Sequence, residues 1–438
     1  MQNKILPFFV KQSKTKLTDR GSIAIVDEFM TGLKFTQKLD KVFPLPGSGR
    51  GINYTDYVLT LIYHFSDGGR FLEEIQSLKA DGGFRSLIQM KHMPGSDAVG
   101  NWLRRFGKRG GTNDIEKIND FLVERYIHES NQQGFVLDID STFIVSNKGD
   151  AAYSYKNEPS YHPMLGFLSD GRSEPICSYE KFRQGNVSAQ TDILETIQHN
   201  EILLSGDKHI REVRIDSAGY QCKVIDYCND NGLHYTITAD QDSSVKGAIE
   251  RIKEGAFNPL YDRLDGFKTH REVAEITHTM NNANHCFRLI VQRELKGAPD
   301  IFGSYHYYCI ITNIPKDKKT AEEVVWHHQG RGNCERYIED TKYGVNLRFV
   351  PCGQFEANAL YYSIGILTFN LLKLMQMMVL PESHLKRTVL SLRRGFFRMV
   401  AKVTSSKRRW ELQVDKHIEH IRQIIRVREK IWLLTQKV

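Results

Sequence analysis

Apolar residues recur along this chain with two different periods, and the change of period divides it. Up to about residue 130 the spacing is helical, as in SIAIVDEFMTGLKFTQKLDKVF and YTDYVLTLIYHFSDGGRFLEEIQSL, interrupted by PGSGRG and by paired glycines. This predicts a helical N-terminal domain over 1–130. Within it, SDAVGNWLRRFGKR is amphipathic. Ser96 or Asp97 is placed to cap it, and Val99, Trp102, Leu103 and Phe106 form an inner face. Arg104, Arg105, Lys108 and Arg109 lie outside or just beyond. A helix of this kind suits DNA recognition in a helix-turn-helix, with Arg104 and Arg105 as DNA-binding residues; its plain alternative is a solvated basic face.

From Gly134 the period shortens to two. FVLDIDSTFIV, PMLGFL and PICSYEKF read as three strands, AQTDILETIQHNEILL as a helix and EVRID as a strand; KVIDYCNDNG follows as a helix and LHYTITA as a strand. The order β-β-β-α-β-α-β describes a mixed sheet covered by helices. The expected fold class is therefore α/β, with a ribonuclease-H-like core whose first part covers 131–242. Residues 243–319 hold three further β-like runs, HREVAEITHTM, HCFRLIVQREL and GSYHYYCIITNI, divided by NNAN and KGAPDIFG, and read as a β-rich insertion. Helical spacing returns over 320–380 as the second part of the core, and 381–438 is expected to be a basic helical region for DNA contact or dimerisation.

Charge sharpens this division. Residues 381–438 carry 15 Lys and Arg against 5 acids, a net of +10 within a total of +8, so the first 380 residues carry −2. A basic, apolar-interleaved tail such as KRTVLSLRRGFFR and SKRRW suits phosphate backbones. The seven cysteines are scattered, without a CxxC pair, which excludes a zinc ribbon or a disulfide framework and points to a reducing, cytoplasmic compartment. The opening MQNKILPFFVKQSKTK is not expected to be a secretory signal. ALYYSIGILTFNLLKLMQMMVL over 359–380 approaches membrane-spanning length, yet Asn370, Lys373 and Gln376 within it predict a buried helix and no membrane association.

The candidate chemistry lies in three acids at the ends of segments: Asp140 in FVLDIDSTFIV, Asp216 in EVRIDSAGY and Glu335 in RGNCERYIEDTKYG. Ionised carboxylates beside an apolar core need a partner or a cation, so acids at the ends of core strands point to hard divalent ions. Asp138 shares the face of Asp140 and is the reserve candidate. His328, Arg331, Glu335 and Lys342 are spaced by 3, 4 and 7 residues and return to one helical face, although Gly330 and Gly332 disfavour an unbroken helix. Two Mg2+ (or Mn2+) ions roughly 4 Å apart on such acids can drive in-line phosphodiester displacement. Serine-nucleophile, Walker A and HExxH motifs are absent.

LDIDST, FRQGN, VRIDSAGY and RGNCERYIEDTKYG resemble, in the same order, the motifs of the DDE transposases of bacterial insertion sequences, in the group with the Y-(2)-R-(3)-E-(6)-K signature. The resemblance covers about Gly134 to Leu380. It implies that Asp140, Asp216 and Glu335 are the catalytic and metal-holding acids, and that Arg331 and Lys342 contact DNA. His328 stands where the signature has tyrosine. Double-stranded DNA, as inverted-repeat ends and target, is the implied partner of a homodimer performing cleavage and strand transfer. The insertion would hold the transposon end and a flipped base or hairpin, with Tyr305, Tyr307, Tyr308 and Trp326 available for stacking. The alternatives are a ribonuclease-H-like nuclease or resolvase without strand transfer, and an inactive derivative that only binds DNA.

Overall fold

A computed structural model of the chain describes residues 15–48, 51–295, 305–406, 409–414 and 418–436. A short strand, β1 (Lys16–Thr18), precedes seven helices: α1 (Ile23–Gly32), α2 (Phe35–Val42), α3 (Tyr54–Asp67), α4 (Ile75–Ala80), α5 (Gly82–Ile88), α6 (Ser96–Gly107) and α7 (Gly111–Glu129). In α6 the predicted inner face is buried and Arg104 and Arg105 are exposed. Gly95 holds the cap position there. Ser96 is the first helical residue, and its hydroxyl accepts from Gln76 instead.

The core begins with β2 (Gly134–Ser141). Three short strands follow, β3 (Ile144–Val145), β4 (Ala152–Tyr153) and β5 (Pro159–Tyr161), then β6 (Met164–Ser169) and β7 (Ile176–Lys181). Next come α8 (Ile193–Leu203), β8 (His209–Ile215), α9 (Cys222–Asp230) and β9 (His234–Thr238). Strands β2, β8 and β9 are parallel, while on the other side of β2 lies β6, antiparallel to it, and then β7, antiparallel to β6. This is the ribonuclease-H-like arrangement that the order of segments predicts. The short strands β3, β4 and β5 form a separate ribbon inserted after β2.

Beyond β9 lie α10 (Ser243–Glu250), β10 (Asn258–Tyr261), β11 (Lys268–His278), β12 (Phe287–Leu295) and β13 (Tyr305–Thr312). The three long strands are those predicted for the insertion; its KGAPDIFG turn lies outside the described residues. They do not form a sheet of their own. Thr312 pairs with Thr236 and Ile310 with Thr238, so β13 adds to β9 and one nine-stranded sheet runs β10-β11-β12-β13-β9-β8-β2-β6-β7.

Helices α11 (Ala321–Gln329) and α12 (Gly332–Glu339) then cross this sheet, and a π turn at Asp340–Gly344 leads towards α13 (Phe355–Met378). Helix α13 packs against α3, α6 and α7 and joins both flanks to the core. The last elements are α14 (Val389–Leu392), β14 (Ala401–Ser406), β15 (Arg409–Val414) and α15 (Ile418–Gln436). The basic end is thus helical only in part. Buried Ala401 and Val403 alternate with exposed Lys402, a period of two that suits the hairpin, and β14 pairs with β1 from the opposite end of the chain. Lys407 and Arg408 of the SKRRW motif lie outside the described residues. Among the described residues no helix is long and apolar enough to cross a membrane.

Candidate active site

Asp140 is the seventh residue of the eight-residue strand β2, and Asp216 follows the last residue of β8. The two strands are parallel and neighbours, in a register that pairs Ile139 with Ile215. The next residue on each strand is an aspartate. Their carboxylates therefore emerge together at the C-terminal edge of the central strands, where the loops open. The Asp140 carboxylate accepts the Ser141 amide (2.8 Å), and that of Asp216 accepts the Ala218 amide (3.0 Å), capping the turn that leaves β8.

The same sheet face is polar along its length, and α11 and α12 cover it. Asp138 is fully buried and held by Arg214 through two bonds of 2.7 Å, from Nε and Nη2. Glu212 bonds His327, and Thr238 bonds His328 (3.0 Å). Arg331 follows, at the break between the two helices, its guanidinium 3.6 Å from Asp140 and 3.5 Å from Glu335. Glu335, in the first turn of α12, is two-thirds exposed. Lys342 lies in the π turn, and its Nζ donates to the Phe143 carbonyl (3.0 Å) in the loop after β2.

Burial, then the negative charge of Asp216 and more weakly that of Glu335, push the Asp140 carboxyl up to about 7; Arg331 and the Ser141 amide act the other way. Hard oxygen donors sharing an uncompensated negative charge fit a divalent cation, which favours the ionised form of each. Among the described residues no group of three or more His, Cys, Asp or Glu side chains is close enough to hold an ion jointly. Asp140 and Asp216 supply the pair, and Glu335 leans on Arg331.

Of the predicted site residues, Asp140, Asp216, Glu335, Arg331 and Lys342 come together. His328 is adjacent but turned inward. It is 2% exposed, and burial, aided by Arg331 and Arg214, pushes its imidazole down to about 3, so it is neutral. Arg104 and Arg105 lie on α6, away from the acids in sequence and on a different element. Tyr308 shares a pocket of about 350 Å3 with His328 and Arg331, and its hydroxyl bonds Thr238 (2.8 Å). Tyr305 lies beside the Arg293 guanidinium, and Trp326 packs on a small cluster formed by Leu260, Val273, Ile290 and Ile310 with α11. Sequence reasoning missed Arg214. Its signal was there, because Glu212, Arg214 and Asp216 alternate with buried Val213 and Ile215.

Seven chains of solved structures match this one. One of them is piggyBac transposase in a synaptic complex with hairpin DNA, seen by cryo-electron microscopy. It is 10% identical, with 88% of this chain and 84% of that one covered and a TM-score of 0.39. No curated protein matches. Residues 10–436 match the family described as transposase DDE domain group 1. With nearly its whole length matched, the chain belongs to that family of DDE transposases.

Proposed function

We propose that this chain is a cut-and-paste DNA transposase that binds the terminal inverted repeats of a bacterial insertion sequence as a homodimer and performs cleavage and strand transfer in the cytoplasm. The observation that carries the reading is the pair of carboxylates, Asp140 and Asp216, at matched ends of two parallel central strands, with Arg331 and Glu335 facing them from the covering helices. Asp140, Asp216 and Glu335 are the metal-holding acids in this proposal. Two Mg2+ or Mn2+ ions, when bound, supply activation of water or a 3'-hydroxyl and stabilisation of the leaving oxygen.

The chain's own groups do the rest. Arg331 presents a planar fork of N–H donors at the edge of the acid pair, a geometry matched to two oxygens of one phosphate. Lys342 ties the loop after β2 to the π turn and brings positive charge to the same edge. Asp138, neutralised by Arg214, fixes the strand ends and takes no part in metal holding. Tyr308 is the aromatic placed beside Arg331 and is assigned to contact an unstacked base of the transposon end.

Asp140→Asn, Asp216→Asn and Glu335→Gln are each expected to abolish Mg2+-dependent cleavage of end-containing DNA while leaving the binding of that DNA within about twofold, since none removes a phosphate-binding cation. Cleavage at the wild-type rate in any of the three would falsify the assignment of that acid. Incorporation of a pre-cut end into plasmid DNA separates transposition from simple nuclease action.

A further inference from the structure

A polar groove of about 700 Å3 lies between the first turns of α6, the loop after β3 and the loop that follows the π turn. Four cations line it: Arg70 from the loop after α3, Arg104 from α6, Lys148 from the loop after β3, and Arg348. Among the described residues none of them is ion-paired to a carboxylate. Arg104 bonds Asn101, Lys148 donates to the Pro351 carbonyl (3.3 Å), and Arg348 lies over the rings of Tyr343 (4.7 Å) and Phe349 (4.8 Å). The Nε of Arg348 is buried without a hydrogen-bond partner among the described residues. Glu73 and Asp97 are the acids of the lining.

The groove continues from the acid pair by covalent and contact steps. Lys342 lies close enough to Asp140 to feel its charge, and bonds Phe143. Tyr343, the next residue, carries Arg348 on its ring. Lys148 follows Phe143 by five residues and reaches Pro351, three residues beyond Arg348. A guanidinium resting against aromatic rings is restrained, and loses less side-chain freedom on meeting a phosphate than a free one.

We infer that this groove is the track for the sugar-phosphate backbone of DNA flanking the reacting phosphodiester, with Arg348, Lys148 and Arg104 on successive phosphates. It rests on the reading of Asp140 and Asp216 as the reacting site. It also makes α6 a backbone-holding helix through Arg104.

The test uses the full chain and a short DNA duplex in Mg2+-free buffer, followed by fluorescence anisotropy from low to high KCl. Each lost phosphate contact lowers the slope of log K against log [KCl] by about 0.9. The variant R104Q/K148Q/R348Q is expected to lower the slope by roughly 2 to 3 and to weaken binding at least tenfold at moderate salt. K148E alone is expected to weaken binding more than K148Q. Arg211→Gln, at the start of β8 and so at the far end of that strand from Asp216, is the control and is expected to leave the slope unchanged. A folded triple variant with wild-type affinity and slope overturns the inference, as does a slope loss in the Arg211 control equal to that in the groove. Failure of the catalytic reading looks different: D140N retains Mg2+-dependent cleavage, whatever the salt slopes show.

Discussion

Gly330 shows how much one missing side chain decides at this site. Its φ is ordinary, so the need for glycine is one of space: a Cβ there would stand 2.3 Å from the Arg214 Nη1 and 3.0 Å from the His327 carbonyl. Arg214 cannot retreat without releasing Asp138, which is fully buried. Gly330→Ala is therefore expected to cost about 2 kcal/mol or more, by analogy with broken buried ion pairs, read as a shifted urea midpoint with an unchanged m-value. His328 gives a pH prediction. Its folded pKa, near 3, lies below the ordinary value of about 6.5, so the unfolded chain binds the extra proton between those limits. Its contribution to stability is complete above about pH 6.5 and is lost as the pH falls towards 3. Buried His64, pushed down to about 4, acts in the same direction. His328→Gln should flatten the decline in stability between pH 6.5 and 4 in a thermal-unfolding series. An unchanged slope would mean that the imidazole becomes charged without leaving its site.

At the scale of elements, α13 is the long apolar run whose polar residues argued against a membrane span, and each of those residues has a buried role. Asn370 donates to Asn119 and to the Cys177 carbonyl, and Gln376 donates to the His384 and Arg387 carbonyls. Lys373 reaches Asp340 (2.9 Å) and Glu174 (3.4 Å), all three being almost wholly buried. Asp340 opens the π turn and also accepts the Val389 amide. The lysine thereby holds the turn that carries Lys342 against the core. Lys373→Met removes the cation from buried Asp340 and leaves Glu174 with Arg336 alone, and is expected to destabilise the protein by about 3–5 kcal/mol. Lys373→Met/Asp340→Asn should recover part of that loss, and a double variant no more stable than the single one would show that the two groups are not coupled.

Across the whole molecule the two ends of the chain meet. Strand β1 pairs with β14, and α15 lays Ile424, Val427, Ile431 and Leu434 against the N-terminal helices, where the Ile431 side chain lies 3.0 Å from where a Cβ on Gly32 would stand. Arg393 donates to the carbonyls of Phe65, Ser66 and Gly344, linking α3 to the end of the π turn. The helical N-terminal part and the C-terminal part are thus one support for the site helices. Ending the chain at residue 417 is expected to uncover the apolar face of α1 and to lower Tm by several degrees, with faster proteolysis within α1; each such buried side chain contributes about 1.5–3 kcal/mol. Equal Tm and equal protection would show that α15 only rests on the surface.

The sequence by itself determined the elements of the core, because burial on both faces of a central strand and on one stripe of a helix writes a period into the residues. It also singled out Asp140, Asp216 and Glu335 as candidates, since carboxylates at the ends of such runs stand out against apolar neighbours. Tertiary structure alone decided the rest. That β13 adds to β9 depends on pairing between segments far apart, which leaves no local pattern. That Asp138 is neutralised depends on Arg214, 76 residues away, and that His328 turns inward depends on Thr238, 90 residues away. The basic C-terminal segment, expected to be helical, is in part a hairpin because β1 offers it an edge. The groove cations come from four separate segments, so their shared surface exists only once the chain is folded.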